Sequence, residues 1–192
     1  MTKRTKRFRT IVVDPPWPEN KMPRQSALRF HDAQRHFPLL TLEDIKALPI
    51  PRVAARDCRI LLWATQRSLG KAITEVLPAW GFRYVGTRVW LKSRHSLGFY
   101  LLNDVEFAVL GVRTGDRPRW RGMFAAFSAP RTGFAEKPEC AFVQMARWWH
   151  APRLELFARR VRPGWSVWGN EVGDPFGWTF DPENWRTYGD SK

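Results

Sequence analysis

The segment TIVVDPPWPEN, residues 10–20, contains a change from an apolar run to a proline-rich stretch. Its apolar run at 11–13 predicts a short buried strand. The two prolines that follow lack the amide hydrogen that a strand ladder requires, so the strand must end at Asp14. A stiff loop that carries this carboxylate and the large aromatic Trp17 comes next. Because ligands bind at the carboxyl ends of strands in open α/β sheets, this loop is the first candidate active site.

The overall composition is that of a globular protein, except for its charge. The 192 residues are 44% hydrophobic and 26% charged, which is enough to bury a core in one domain. The 32 Lys and Arg residues outnumber the 18 Asp and Glu residues and give a formal net charge of +14. Such a basic excess predicts a polyanionic partner, usually nucleic acid. The alternative is a basic surface that only keeps the protein soluble.

The cysteines and the N-terminus indicate the compartment. Cys58 and Cys140 are too few for a disulfide framework or a zinc site, so we expect two buried, reduced thiols and no metal. The start MTKRTKRFR is basic but lacks the apolar stretch of a secretory signal. No run approaches the ~18 apolar residues of a membrane span. We therefore expect a soluble, cytoplasmic protein that contacts no membrane.

Segments with the period of a strand alternate with segments of helical period. Strands are predicted at residues 8–13, 59–65, 82–92, 104–113, 153–159 and 164–170, and helices at 41–48, 66–81 and 137–150. Thr41 and Asp44 have the spacing of a capping box at the start of the first helix. This alternation predicts an α/β fold with a mostly parallel sheet covered by helices on both faces. We expect one domain over 1–192, with a basic arm at 1–8 and a long substrate-side loop at 18–37.

The DPPW stretch suits a planar base that carries an exocyclic amine. Pro15 and Pro16 set the direction of carbonyl oxygens. Asp14 adds a carboxylate acceptor, and Trp17 adds a flat apolar surface that could hold a ring. Two acceptors that grip an aromatic amine favour the pyramidal geometry that frees its lone pair, and near-attack placement contributes roughly 7–11 kcal/mol. The alternative is a rigid turn after an edge strand, with Trp17 in the core.

Four stretches, in their order and spacing, resemble a known family. They are DPPW (14–17), RFHDAQRHFPLLTLEDIKALP (29–49), EKPECAFVQMAR (136–147) and LELFARRVRPGWSVWGNE (154–171). Together they resemble the S-adenosylmethionine-dependent adenine N6-methyltransferases, in the branch of the messenger-RNA adenosine methyltransferase catalytic subunit and its compact bacterial and phage relatives. The resemblance runs from about Phe8 to Gly177. It implies a Rossmann-like methyltransferase fold in permuted order, with the catalytic loop before the cofactor half.

The resemblance also implies roles for individual residues. The catalytic motif that grips the target amine would be Asp14, Pro15, Pro16 and Trp17. The residues implied to bind S-adenosylmethionine are Asp14 and Lys137 at the methionine end, Phe157 and Arg159 at the adenosine, and Asn170 and Glu171 at the ribose hydroxyls. The implied substrate pocket contains Trp17, Asn103 and Glu106. Phe134 and Ala135 stand where the family has a His-Ser pair before Lys137.

The stretch RTGDRPRWRG, residues 113–122, places four arginines around one tryptophan. Given the net charge, we expect these side chains to hold backbone phosphates, and a solvated turn is the alternative. The residues of this predicted phosphate clamp are Arg113, Arg117, Arg119 and Arg121.

Two functions of different kinds fit these residues. The first is an enzyme that methylates the N6 amine of adenine in nucleic acid, after the target base has left the stack or in a single strand. DNA is favoured over RNA because the resemblance is closest to compact microbial members. The second is a non-catalytic nucleic-acid-binding subunit with a methyltransferase fold. The presence of Asp14, Asn170 and Glu171 favours the enzyme.

Two further expectations follow from the motifs that this sequence lacks. A zinc-dependent base deaminase requires a His-x-Glu and a Cys-x-x-Cys set, which two distant cysteines do not provide. One small domain leaves no separate target-recognition module. We therefore expect modest sequence selectivity or dependence on a partner subunit in a homo- or hetero-oligomer.

Overall fold

Seven strands form one sheet in the computed structural model of the chain. The structure describes residues 7–18, 40–96, 101–113, 123–133, 136–169 and 172. The strands are β1 (Phe8–Val13), β2 (Ala54–Ala64), β3 (Arg83–Ser96), β4 (Asn103–Val112), β5 (Ala126–Ala129), β6 (Arg153–Leu156) and β7 (Trp165–Trp168). Their spatial order is β5-β3-β4-β2-β1-β6-β7.

The sheet is mostly parallel, as predicted, with one reversed strand. The pairs β1–β2, β1–β6, β6–β7 and β3–β5 are parallel. Strand β4 is antiparallel to both of its neighbours, β2 and β3. The other six strands therefore run in the same direction, and their carboxyl ends share one edge of the sheet. The amino end of β4 lies at that same edge because β4 runs in the opposite direction.

Helices cover both faces of this sheet. They are α1 (Leu42–Lys46), α2 (Ile50–Val53), α3 (Leu69–Lys71), a π-helical segment (Ala72–Val76), α4 (Leu77–Ala79) and α5 (Glu139–Trp148). α1, α2 and the helical stretch from α3 to α4 pack with alternate residues of β1 and β2 in one core cluster. Helix α5 packs against the opposite face in a second cluster. None of the helices in the described part of the chain is both long and apolar enough to span a bilayer.

Several local predictions are confirmed. The predicted capping box is present, since the Asp44 amide donates to Thr41 Oγ1 at 3.1 Å and the Thr41 amide donates to Asp44 Oδ2 at 3.2 Å. The helix predicted at 66–81 occupies residues 69–79 and stops before Gly81, whose φ of +74° suits a helix C-terminus. Strand β1 ends at Val13, immediately before Asp14.

Other predictions need correction or remain predictions. Strand β5 was not predicted, because four residues of mixed burial at a sheet edge carry too short a pattern. Cys58 is buried as expected, but Cys140 is exposed because it lies on the solvent side of α5. The basic arm at 1–8 and the loop at 18–37 fall almost entirely outside the described residues. The single-domain prediction for the whole chain therefore stays a prediction.

Candidate active site

The loop after β1 lies at the carboxyl edge of the sheet, between two parallel neighbours. The Asp14 amide donates to the carbonyl of Leu156, the last residue of β6, at 3.4 Å. Pro15 and Pro16 are buried, which leaves Asp14 as the partly exposed polar group of the loop. Its side chain retains 25% of its exposure. Because β1 ends immediately before Asp14, the carboxylate of Asp14 lies at the edge of the sheet where α/β folds bind ligands.

Four charged side chains meet at this edge, and we call Asp14, Lys137, Glu106 and Lys92 the ionic cluster. Lys137 Nζ lies 2.8 Å from Asp14 Oδ2 and 3.2 Å from Glu106 Oε2. Glu106 Oε1 lies 2.7 Å from Lys92 Nζ. Acidic and basic groups therefore alternate along one line, and each contact is at hydrogen-bond distance.

Distant parts of the chain supply the members of the ionic cluster. Lys137 stands two residues before the first residue of α5. The position of that helix start therefore brings the Lys137 ammonium to the edge where Asp14 lies. Glu106 belongs to β4 and reaches this edge because β4 begins there. Lys92 belongs to the neighbouring strand β3. The sequence intervals between these residues are long, so only the strand order brings them together.

The ionic cluster shifts the protonation of its members in definite directions. Burial raises the pKa of the Asp14 carboxyl, and this effect exceeds the opposing influence of Lys137. Burial also opposes ionisation of Glu106, but the ammonium groups of Lys137 and Lys92 together lower its pKa. The carboxylates of Asp14 and Glu106 outweigh the burial of Lys137 and raise its pKa. Glu106 and Lys137 are thus held charged, whereas Asp14 is the member closest to accepting a proton.

Two tryptophans lie beneath the ionic cluster. Trp63 and Trp90 are each 1% exposed and meet edge to face, with ring centroids 6.2 Å apart. Lys137 Nζ lies 5.5 Å from the Trp63 ring centroid, and Lys92 Nζ lies 5.5 Å from the Trp90 ring centroid. Each ammonium therefore sits over an aromatic face that attracts cations.

The structure places Trp17 in the core rather than on the surface of the loop. Its side chain is 2% exposed, and its indole Nε1 donates to the carbonyl of Trp63 at 2.9 Å. The next described segment returns at Leu40, whose amide donates to the carbonyl of Pro16 at 3.0 Å. A ring this deeply buried cannot stack on a base, so the geometry favours the core alternative for Trp17. Its role is to anchor the loop that carries Asp14.

The predicted cofactor residues after β6 lie at the same edge. Phe157 has a φ of +62°, an unusual backbone conformation for a large residue, and its ring meets that of Trp168 edge to face at 5.3 Å. The Ala158 amide donates to the Trp168 carbonyl at 2.9 Å, which joins this loop to the end of β7. Arg159 is close enough to Asp14 to act on its pKa. Asn170 and Glu171 fall outside the described residues.

Arg113 lies away from the ionic cluster, and its predicted role in holding backbone phosphates stays a prediction. Its guanidinium Nη1 donates to the carbonyl of Ala54, and its amide donates to the carbonyl of Cys58, both at 3.0 Å. Both acceptors lie in the first half of β2, at the amino edge of the parallel strands. The position of Arg113 has a topological reason, because β4 runs antiparallel to its neighbours and its last residues reach the opposite edge. Arg117, Arg119 and Arg121 fall outside the described residues.

Asn103 is placed at the expected edge, and three residues of the site were not predicted. Asn103 is the first residue of β4. The unpredicted residues are Lys92, Trp63 and Trp90, which sequence analysis had assigned only to strands. A signal existed in the alternation of β3, since Trp90 and Lys92 must share one face. Their proximity to Glu106 required the pairing of β3 with β4.

Comparisons with known proteins give one family model and several similar proteins. The MT-A70 family model matches residues 8–171. The N(6)-adenine-specific methyltransferase METTL4 of Mus musculus is 33% identical over 189 residues, which are 87% of this chain and 38% of the mouse protein. The type II methyltransferase M.MunI of a Mycoplasma species is 29% identical, with 88% and 79% covered. The N6-methyladenosine RNA methyltransferase MTA1 of Pyricularia oryzae is 30% identical, with 86% and 47% covered. The chain thus spans less than half of two relatives and most of the third.

Proposed function

The chain belongs to the MT-A70 family, and from this premise we propose that it transfers a methyl group from S-adenosylmethionine to the exocyclic N6 amine of adenine in nucleic acid. The observation that carries the proposal is the ionic cluster, which holds the carboxylate of the DPPW loop against Lys137 at 2.8 Å.

Asp14 and the backbone of its loop would activate the amine. Lys137 contacts Asp14 Oδ2, which leaves Oδ1 to accept a hydrogen from the adenine amine. The carbonyl of Pro16 already accepts the Leu40 amide. The carbonyl of Pro15, next to Asp14, is therefore the second acceptor that we assign. Two acceptors on the two amine hydrogens direct the nitrogen lone pair toward the methyl donor.

Asp14 would also take up the proton that the amine must lose when its nitrogen gains a fourth bond. Burial has already raised the pKa of this carboxyl. A carboxyl so shifted accepts a proton more readily than an exposed aspartate. Lys137, held charged by two carboxylates, would keep Asp14 in place during the exchange.

The charges at the site fit S-adenosylmethionine. This cofactor supplies a sulfonium-bound methyl group that a nitrogen lone pair can attack, and it carries an ammonium, a carboxylate and a ribose diol. The Asp14 carboxylate complements the positive groups, and the cation of Lys137 complements the carboxylate. By family resemblance we assign Phe157 and Arg159 to the adenosine, and Asn170 and Glu171 to the ribose hydroxyls.

Nucleic acid is the acceptor that the charge favours, and we propose DNA before RNA. A net charge of +14 attracts a phosphate backbone. The chain spans 79% of the type II methyltransferase M.MunI but only 47% of the RNA methyltransferase MTA1. RNA is the second candidate, because MTA1 is an RNA methyltransferase. In a duplex the target adenine would have to leave the stack to reach Asp14.

The test is methylation of single-stranded DNA, duplex DNA and RNA with labelled S-adenosylmethionine, followed by digestion and nucleoside mass analysis. We expect N6-methyladenine from DNA, with activity about a hundredfold lower in Asp14→Asn, since the amide keeps an acceptor oxygen but cannot take up the proton of the amine. Asp57→Asn is the matched control, because Asp57 pairs with Arg9 at the start of β2 and away from the site. Methylation of RNA alone would establish the second candidate. Binding of nucleic acid without methylation of any acceptor would favour a non-catalytic subunit.

A further inference from the structure

Lys92 is the member of the ionic cluster to which neither the DPPW motif nor the family resemblance assigned a role. It lies on β3, whose residue Trp90 pairs directly with Glu106 of β4. Lys92 is two residues further along β3, on the face that Trp90 occupies, so its long side chain approaches Glu106 diagonally. Its Nζ reaches Glu106 Oε1 at 2.7 Å and lies 5.5 Å from the Trp90 centroid.

Lys92 is buried although its side chain carries a positive charge. The Lys92 side chain is 7% exposed, and that of its partner Glu106 is 17% exposed. A buried ammonium costs several kcal/mol in desolvation unless an opposite charge and hydrogen bonds replace the water. A leucine would fill the same place over Trp90 without that cost. The charge itself is therefore the property that this position requires.

We propose that Lys92 is a positioning residue of the methyl-transfer site, which holds Glu106 as a carboxylate turned toward Lys137 so that Lys137 in turn orients Asp14. The inference rests on the proposed function, because it assigns Lys92 a part in that same reaction. Lys92 binds Oε1 of Glu106 and thereby leaves Oε2 to Lys137, which completes the contact with Asp14 Oδ2. In the described part of the chain the ion pair of Lys92 is with Glu106 and not with Asp14, so we assign its effect on Asp14 to Glu106 and Lys137.

The charged groups that face Glu106 determine the effect of removing Lys92. Among the described residues they are Lys92 from β3, Lys137 from the segment before α5, and Asp14 from the loop after β1. The two lysines lower the pKa of Glu106 against its burial. Without Lys92, burial and the repulsion from Asp14 act against Lys137 alone, and the pKa of Glu106 must rise. Below that new pKa Glu106 is neutral, and Lys137 loses one of its two ionic partners.

The experiment compares wild-type protein with Lys92→Met and Lys92→Arg, and uses Lys46→Met as the matched control. Lys46 pairs with Glu43 on α1, outside the site. Carbon-13 NMR follows the titration of the Glu106 carboxyl, assigned with Glu106→Gln, and a pH series follows kcat. In Lys92→Met we expect Glu106 to titrate at higher pH, the acid limb of the kcat profile to move up, and kcat at pH 6 to fall about ten- to a hundredfold. Lys92→Arg should restore the wild-type titration, and Lys46→Met should change neither readout.

The outcomes separate this inference from the proposed function. A wild-type protein that methylates no acceptor overturns the proposed function and the catalytic part of the inference with it. An active wild type whose Glu106 titration and acid limb are unmoved in Lys92→Met overturns the inference alone. A folded Lys92→Met variant that loses activity equally at every pH assigns Lys92 a merely structural role and also overturns it.

Discussion

Gly169 follows the last residue of β7, at a point where two backbone segments nearly touch. A Cβ at this position would lie 2.3 Å from the carbonyl oxygen of Ala158 and 2.8 Å from its nitrogen. Backbone atoms cannot move aside as the end of a flexible side chain can, so only glycine fits. The close approach also places Gly169 beside the loop of Phe157, where the cofactor half of the proposed site lies.

At the residue scale we predict that Gly169→Ala separates these two segments. The unfolding free energy should fall by about 1–3 kcal/mol, the usual cost of overpacking, and S-adenosylmethionine should bind more weakly. Chemical denaturation and calorimetric titration measure the two effects. Gly70→Ala is the control, since nothing lies within 4 Å of a Cβ there and alanine favours the helix. Equal stability of the Gly169→Ala variant and wild type would contradict the predicted clash.

In the loop between β1 and α1, the described residues before and after positions 19–39 are held by hydrogen bonds. Trp17 Nε1 donates to the carbonyl of Trp63, and the Leu40 amide donates to the carbonyl of Pro16. Pro16 and Leu40, on the two sides of this segment, therefore lie next to each other. Because Asp14 stands on the same short segment, these contacts set where the carboxylate points.

At the element scale we predict that Trp17→Phe loosens this loop although it keeps an aromatic ring. The variant loses the hydrogen bond to Trp63, which costs about 1 kcal/mol of unfolding free energy, and kcat should fall about tenfold as Asp14 shifts. Denaturation curves and initial rates measure both. Trp80→Phe is the matched control, since it removes a similar buried bond to the Ile45 carbonyl at 3.1 Å, away from the site. A stacking role for Trp17 would instead leave Trp17→Phe nearly as active as wild type.

A second ionic network joins the sheet to α5 and affects the stability of the whole molecule. Glu155 of β6 pairs with the buried Arg162, whose Nε also lies 2.9 Å from Glu139 Oε2 at the start of α5. Arg162 stacks over the ring of Phe142 with its Cζ 3.7 Å from the centroid. Burial raises the pKa of Glu155 to about 7, against the lowering influence of Arg162.

At the scale of the whole molecule we predict that this carboxyl makes stability depend on pH. The folded state binds the Glu155 proton more tightly than the unfolded state, so the unfolding free energy falls as pH rises from about 4.5 to about 7. The contribution amounts to up to about 3 kcal/mol, since one pKa unit corresponds to about 1.4 kcal/mol. Glu155→Gln, which resembles the neutral form, should flatten this slope in urea denaturation between pH 5 and pH 8. The exposed Glu43→Gln should keep the wild-type slope, and an unchanged slope in Glu155→Gln would refute the prediction.

Much of the fold and the proposed catalytic motif follow from local patterns in the chain. A strand that ends at Asp14, a capping box at Thr41 and a helix that stops before Gly81 depend on neighbouring residues alone. Prolines, glycines and the period of apolar residues act over a few positions, so the sequence displays them directly. The proximity of Lys137 and Glu106 to Asp14 was expected only through the family resemblance.

The remaining features depend on contacts between residues far apart in the chain. The reversed direction of β4 brings Glu106 to the carboxyl edge and carries Arg113 to the opposite edge. The register of β3 against β4 places Lys92 beside Glu106, and the packing of the core withdraws Trp17 from the surface. Local periodicity does not encode strand order, register or burial among equally apolar side chains, because these arise when distant segments compete to pack together. The sequence alone therefore specifies Asp14 and its loop, whereas the tertiary structure determines which charged side chains surround that carboxylate.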